Sequence, residues 1–342
     1  MRVGPTLATA GLVALGAALT FLPARRAESS AHTNGPVRAR VGLVFDVGGR
    51  GDKSFNDAAY SGLARAEKEL DVETFFLEPV GSEDREAALR LFASRGLDLV
   101  IGVGFIFSSD VDAVARSYPR VHFACVDYAP GPSGPPANVA GLVFREEEGS
   151  FLVGAVAGLM SNTHHVGFVG GMKNPLIRKF EAGYEFGVKA SCPECVVHGA
   201  YAGASPDAFR DPAKGKALAI AQISAGADVI YHASGATGHG VFEGAHDAHV
   251  MAIGVDADQY DEMPDTVVTS MVKRVDVAIY DTIRTAIQGR FSGGMHDFGI
   301  KDGAIDYVHE GMHAKAIADE VKRRVDRLKQ DVLDGRVVVP SE

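Results

Sequence analysis

The sequence has no tryptophan, few cysteines and fewer basic than acidic residues. Three cysteines in 342 residues exclude a small scaffold held together by disulfides. The 34 Lys and Arg residues against 44 Asp and Glu residues give a formal net charge of −10. This balance argues against a nucleic-acid-binding surface, because phosphate contacts need clustered basic side chains. No apolar run reaches the roughly 20 residues of a confident membrane span, and the length predicts two globular domains.

The N-terminal residues have the pattern of an export signal. Arg2 gives a positive start, an apolar run extends from Leu7 to Leu22, and the small residues Ser29–Ala31 offer a cleavage site. We therefore predict a signal peptide over residues 1–31 and a periplasmic or cell-envelope location. Because Arg25 and Arg26 directly after the apolar run are unfavourable for cleavage, an uncleaved N-terminal anchor is the alternative.

Two of the cysteines form a C-x-x-C pair, Cys192 and Cys195. Such a pair can be half of a metal site, a redox pair or a local disulfide. A zinc site needs two further ligands at matching spacing, and a redox pair is expected to open a helix after a strand. Here the pair follows a helix pattern and precedes a strand pattern, which favours a disulfide at a helix–strand turn. Cys125, inside an apolar strand pattern, is predicted to be a buried free thiol.

From residue 41 onward, short β-branched runs alternate with amphipathic stretches such as Phe55–Leu70, Phe151–Met160 and Ala314–Leu333. Continuous apolar strands alternating with helices indicate parallel sheets covered on both faces. We predict an α/β fold with two doubly wound, Rossmann-like lobes joined by a hinge. The predicted lobes are residues 38–144 with about 273–297, and residues 145–272 with about 298–338.

The candidate site residues come directly after predicted strands. In open α/β sheets, ligands bind at the carboxyl ends of the strands. Three strands end in a carboxylate, at Asp46, Asp127 and Asp256, and two others lead to Gly235 and Lys273. A charge at the end of a buried strand is costly unless it is hydrogen-bonded, so these side chains are candidates for ligand contacts.

A glycine-rich loop from Asp46 to Asn56 joins a predicted strand to a helix. It lacks the G-x-G-x-x-G spacing, and Asp46 and Asp52 would repel a phosphate, so the loop suits hydroxyls or ring N–H groups. We expect Ser54 or Asp52 to cap the helix. Phe55, beside Asn56, and Phe180 in the second lobe are either core residues or two aromatics that clamp a flat ligand.

A second group of residues contains side chains of the types that bind metals. Four histidines and a glutamate fall close together, at His232, His239, Glu243, His246 and His249. They do not form H-E-x-x-H or another close ligand spacing, so we interpret them as a solvated helix face and expect no metal or cofactor. The carboxylates at the strand ends leave a nucleoside hydrolase open as an enzymatic alternative.

In these motifs the sequence resembles the basic membrane protein (BMP) family, the purine nucleoside receptor-like substrate-binding proteins of ABC transporters. The resemblance covers roughly residues 39–335. The segments that carry it are Val44–Gly49, Asp52–Asn56, Val100–Phe105, Phe123–Asp127, Glu147–Leu152, Ala157–Met160, Phe168–Gly171, Asp211–Lys216, His232–Gly238 and Ile253–Asp258.

The resemblance implies a type I periplasmic-binding fold and a non-enzymatic protein that closes two lobes on a nucleoside. It implies that Phe55 stacks on the base, with Phe180 as the candidate for its other face. Asp127 and Asn56 would bind the base edge, while Asp256 and Lys273 would hold the ribose. Asp46 and the backbone of Gly235 would line the cleft. The implied partner is an ABC permease, with the protein a monomer that does not bind nucleic acid.

The sequence departs from the family pattern at two places. Many members are lipoproteins with a cysteine after the signal, whereas the leader here has none, so we expect membrane attachment only through an uncleaved leader. Ser234–Ala236 varies the glycine-rich run expected there, which bears on ligand specificity. A sugar or peptide-signal sensor on the same fold is the alternative function.

Overall fold

The computed structural model describes residues 25–26, 39–79 and 84–342. The predicted signal peptide or anchor over residues 1–31 lies outside these residues, except that Arg25–Arg26 form a two-residue strand. Among the described residues, no helix combines the length and the apolar character that crossing a membrane requires.

Strands and helices alternate along most of the described chain, as predicted. The strands are β1 (Arg25–Arg26), β2 (Ala39–Val44), β3 (Val72–Leu77), β4 (Leu99–Val103), β5 (His122–Val126), β6 (Val139–Phe144), β7 (His165–Met172), β8 (Val196–Gly203), β9 (Val229–Ala233), β10 (Met251–Asp256), β11 (Val267–Lys273), β12 (Gly294–Phe298) and β13 (Ile305–Tyr307). The α-helices are α1 (Phe55–Glu69), α2 (Asp84–Ser94), α3 (Ser108–Ser117), α4 (Glu146–Met160), α5 (Pro175–Ser191), α6 (Pro212–Ser224), α7 (Thr237–Asp247), α8 (Val275–Ile287) and α9 (Asp319–Leu333).

The described strands form two sheets. The first has the order β1-β3-β2-β4-β5-β6-β12, and the second has the order β13-β11-β10-β9-β7-β8. All pairs are parallel except β1 with β3 and β11 with β13. Central strands such as β4 and β9 are buried at every residue, which agrees with their continuous apolar sequence.

The chain passes between the sheets three times, at β6 to α4, at β11 to α8 and at β12 to β13. The crossovers are hydrogen-bonded to one another: the Arg145 N–H donates to the Phe298 carbonyl at 2.8 Å, and the Arg274 N–H donates to the Ala304 carbonyl at 2.8 Å. The exact limits of the two lobes stay a prediction, because sheet membership does not by itself define rigid units.

The structure corrects several element boundaries. Helix α4 begins at Glu146, five residues before the predicted start at Phe151, because three glutamates in its first turn favour the positive end of the helix dipole. Helix α9 begins at Asp319 rather than Ala314, after a 3₁₀ turn over Gly311–Lys315. Strand β12 was not predicted, since Gly294–Phe298 has little apolar character and lies at a sheet edge.

Cys192 and Cys195 are joined by a disulfide between the end of α5 and the start of β8, and Cys125 is a buried free thiol. The pair therefore lies at a helix–strand turn.

Glycines allow α4 and α5 to pack backbone against backbone. A Cβ atom at Gly183 would lie 2.2 Å from the Glu147 carbonyl oxygen, and one at Gly187 would lie 2.0 Å from the Phe151 carbonyl oxygen. Both distances are far below van der Waals contact, so neither position accepts a larger side chain without a helix shift. This close packing fixes α5, from its middle onward, against the first two turns of α4.

We expect Gly183→Ala to lower the free energy of unfolding by roughly 1–3 kcal/mol, since overpacking outweighs the better helix propensity of alanine. Urea denaturation measures this difference. Gly131→Ala is the control, because a Cβ atom there would meet no atom within 4 Å. Equal stability of Gly183→Ala and the wild type would show that the two helices can separate freely.

Candidate functional site

A cleft lies at the carboxyl ends of both sheets, and the space between its lining atoms, open solvent included, is about 560 Å³. Its lining comes from the ends of β2, β5, β9, β10 and β11 and from the first turns of α1 and α5. All eight predicted site residues line it: Asp46, Phe55, Asn56, Asp127, Phe180, Gly235, Asp256 and Lys273. The fold thus brings together residues that are up to 227 positions apart, from Asp46 to Lys273.

Asp127 and Asp256 occupy equivalent places in the two sheets. Asp127 follows β5 and has φ 57°, and Asp256 ends β10 and has φ 66°. The left-handed region is unfavourable for residues other than glycine, and such strain concentrates at functional sites. Both carboxylates line the cleft, and each is 8% exposed.

Lys273 forms an ion pair with Asp127 and with a third carboxylate, Glu146. Its side chain is 1% exposed, and Nζ lies 2.6 Å from Asp127 Oδ1 and 3.0 Å from Glu146 Oε1. The ammonium also lies 5.1 Å from the ring centre of Phe55, 5.0 Å from that of Phe144 and 5.7 Å from that of Phe180. One cation therefore contacts both predicted clamp aromatics and a carboxylate of the opposite sheet.

The loop before α1 is organised by Asp52 rather than by Ser54. Asp52 accepts hydrogen bonds from the backbone N–H groups of Ser54, Asn56 and Asp57 at 2.8 to 3.1 Å, so its carboxylate caps the helix. The Ser54 hydroxyl instead crosses the cleft and donates to Asp256 Oδ2 at 2.7 Å. Asp52 therefore fixes the position of Phe55 at the start of α1.

Asn56 is held within the same loop. Its Oδ1 accepts from the Asp46 N–H at 3.0 Å, and its Nδ2 donates to Asp52 Oδ2 at 3.0 Å. The amide therefore has one N–H and one oxygen lone pair left for a ligand, a smaller capacity than the sequence suggested.

Sequence reasoning missed three side chains around this cleft. Phe105 and Phe209 both line it, and their rings pack edge to face with ring centres 6.5 Å apart. Phe105 comes directly after β4, so its position at a strand end could have indicated it. Phe209 belongs to a 3₁₀ turn, and no strand end marks its position. Glu146 is 0% exposed and reaches Lys273 from behind the cleft wall.

The histidine group does not form a metal centre. His232 is buried and bonds to Gln259 at 3.0 Å, His239 pairs with Glu262 at 3.1 Å, and His246 bonds to Thr266 at 3.1 Å. Burial lowers the pKa of His232 to about 3, so the ring is neutral. Within residues 25–26, 39–79 and 84–342, no three His, Cys, Asp or Glu side chains are grouped so that they could hold a metal.

Residues 39–342 match the family model described as Bmp, ABC transporter substrate-binding protein PnrA-like. The chain belongs to this family. The CD4+ T-cell-stimulating antigen of Listeria monocytogenes is 35% identical, with 88% of each chain covered. The ABC transporter nucleoside-binding protein BmpA of Lactococcus lactis is 29% identical, with 95% of this chain and 96% of that protein covered.

Solved structures agree with the family assignment. A solute-binding protein of an ABC transporter system from Aeropyrum pernix matches with a TM-score of 0.81 and 31% identity over 89% of this chain and 94% of that chain. The predicted type I periplasmic-binding fold is thereby confirmed. Bmp proteins are extracytoplasmic substrate-binding proteins, a class distinct from enzymes.

The cleft of this Bmp-family protein is rich in carboxyl groups that resist ionisation. Burial raises the pKa of Asp46 to about 7, and it raises the pKa of Asp127 and of Asp256 to about 6 despite the opposing charge of Lys273. Burial alone would lower the pKa of Lys273, but Asp127, Glu146 and Asp256 raise it above its usual value. Lys273 therefore stays charged while the carboxyls around it titrate near neutral pH.

These shifts make the stability of the unliganded protein depend on pH. A carboxyl with a raised pKa binds more protons in the folded state than in the unfolded state, so stability falls as pH rises from about 4 to about 7. We expect Asp46→Asn, which keeps the shape but cannot ionise, to lose less stability than the wild type across this window. Urea denaturation at several pH values measures both slopes, and parallel slopes would contradict the shift at Asp46.

Proposed function

We propose that the protein captures a nucleoside, with a preference for purines, and delivers it to an ABC importer. The observation that carries this proposal is a single cleft that contains Phe55, Phe180, Asp127, Asp256 and Lys273. The relative from Lactococcus lactis is named a nucleoside-binding protein, which gives independent support.

The aromatic side chains provide the base site. Phe55 is half-buried at the start of α1, and Phe180 is 3% exposed on α5, on the opposite side of the cleft. Stacking of a base on an aromatic ring contributes about 1–3 kcal/mol. Asp127 and the remaining N–H of Asn56 provide an acceptor and a donor for the edge of the base.

The charged side chains provide the ribose site. Asp256 accepts hydrogen bonds from hydroxyl groups, and Lys273 donates to hydroxyl oxygens, so together they match the donors and acceptors of a vicinal diol. The ionisable lining residues are Asp46, Asp52, Asp127, Asp256 and Lys273. A phosphate group would be repelled by this excess of carboxylates, so the cleft selects nucleosides over nucleotides.

Contacts between the sheets provide a means of closure. The Ser54–Asp256 hydrogen bond and the Lys273–Asp127 ion pair each join residues of different sheets. Their formation favours a closed cleft, and the three crossovers form the hinge about which the lobes would separate. A closed, ligand-filled form is the state that a permease would select.

Isothermal titration calorimetry with adenosine, guanosine, inosine, cytidine and AMP tests the ligand class. We expect the purine nucleosides to bind more tightly than cytidine, and AMP to bind at least about 100-fold more weakly than adenosine because of charge repulsion. Binding of AMP in preference to every nucleoside would contradict the roles given to the carboxylates. Binding of free sugars alone would favour a sugar sensor.

Phe55→Ala tests the stacking contact. We expect the affinity for adenosine to fall about 10- to 100-fold, the equivalent of one stacked base. Phe186→Ala is the control, since Phe186 is 38% exposed on α5 and packs on Phe151 at 5.5 Å, away from the cleft. Calorimetry gives both affinities, and an unchanged affinity in Phe55→Ala would assign this ring to the core instead.

A further inference from the structure

Glu146 is a fully buried carboxylate that does not line the cleft. It is 0% exposed and begins α4, at the first crossover between the sheets. Its Oε1 lies 3.0 Å from Lys273 Nζ, and its Oε2 lies 3.1 Å from Lys179 Nζ. A buried carboxylate is tolerated only when it is well paired, and here each oxygen meets a different ammonium.

Lys179 is fixed in turn by the start of the same crossover. Its ammonium donates to the Phe144 carbonyl at 2.8 Å and lies 3.8 Å from Glu147 Oε2. The close packing of α4 on α5 through Gly183 sets the position of Lys179 relative to Glu146. The chain of contacts thus runs from α5 through Lys179 and Glu146 to Lys273.

Glu146 and Asp127 hold Lys273 from different sides. Asp127 follows β5 of the first sheet, whereas Lys273 ends β11 of the second sheet. Glu146 is on α4, which packs on β11 and β13 of the second sheet. Opening of the cleft would separate Lys273 from Asp127, while Glu146 would stay beside it.

The geometry assigns Glu146 the role of positioning residue for Lys273. The contact holds the ammonium at the cleft wall and keeps it paired when the lobes separate, so that Lys273 is ready for a ligand hydroxyl in each binding cycle. Lys179 orients Glu146 for this purpose. The inference deepens the nucleoside-binding function proposed above and rests on it for the identity of the ligand.

A change of ligand separates this role from a merely structural one. Adenosine and 2′,3′-dideoxyadenosine share the base, but only adenosine offers the vicinal hydroxyls that Lys273 would bind. In the full-length protein we expect Glu146→Gln to lower the affinity for adenosine about tenfold, since a hydrogen bond to a charged group is involved. The affinity for dideoxyadenosine should stay nearly unchanged. Calorimetry with both ligands gives the ratio of the adenosine affinity to the dideoxyadenosine affinity.

Glu181→Gln is the matched control. Glu181 is a buried carboxylate on α5 that accepts hydrogen bonds from Arg178 and Tyr201, and none of these residues lines the cleft. We expect its ratio of adenosine to dideoxyadenosine affinity to equal that of the wild type. If Glu146→Gln does not fold, Lys179→Met replaces it, because that variant removes the partner that orients Glu146, and the same fall in the ratio is expected.

A readout without ligand makes the test independent of the proposed function. In ¹⁵N-lysine-labelled protein, the Lys273 ammonium signal should shift in Glu146→Gln and remain in place in Glu181→Gln. An equal loss for both nucleosides, or an unchanged Lys273 signal, would overturn the inference. If the wild type binds no nucleoside, the proposed function fails, and the Lys273 signal alone decides the role of Glu146.

Discussion

The arrangement of the cleft depends on one buried positive charge. Lys273 Nζ lies within 3.0 Å of two carboxylates, Asp127 after β5 and Glu146 at the start of α4. A buried ammonium is costly without such partners, and buried carboxylates are costly without it. The same ammonium lies within 6 Å of the rings of Phe55 and Phe180. Charge, aromatic surface and a contact between the two sheets therefore meet at a single atom.

This arrangement also explains why a cleft so rich in carboxyl groups can form. Burial raises the pKa of Asp46, Asp127 and Asp256 to between about 6 and about 7, so part of the negative charge is removed by protonation near neutral pH. The rest is balanced by Lys273 and by hydrogen bonds such as that from Ser54 to Asp256. A neutral ligand with hydroxyl groups fits such a site without adding charge.

The close packing of two helices fixes the crossover that leads into the second sheet. Gly183 and Gly187 bring α5 against α4, and α4 begins at the crossover that carries Glu146. On the crossover from β12 to β13, the Ile300 N–H donates to Glu148 Oε2 at 2.8 Å. Glu146 and Glu148 therefore both hold connections between the sheets, which gives a structural reason for two of the three consecutive acidic residues.

The sequence by itself determined the fold class, the family and the set of strand-end residues that line the cleft. Strand ends are predictable because apolar runs are local and parallel strands align their carboxyl ends at one edge. Phe209, Glu146 and strand β12 were not predictable, since each is defined by contacts between segments far apart in the chain. The same holds for the dual use of Asn56 and for the left-handed backbone at Asp127 and Asp256. Only the tertiary structure decides which polar groups already have partners, because hydrogen bonds and burial depend on distances that no local pattern contains.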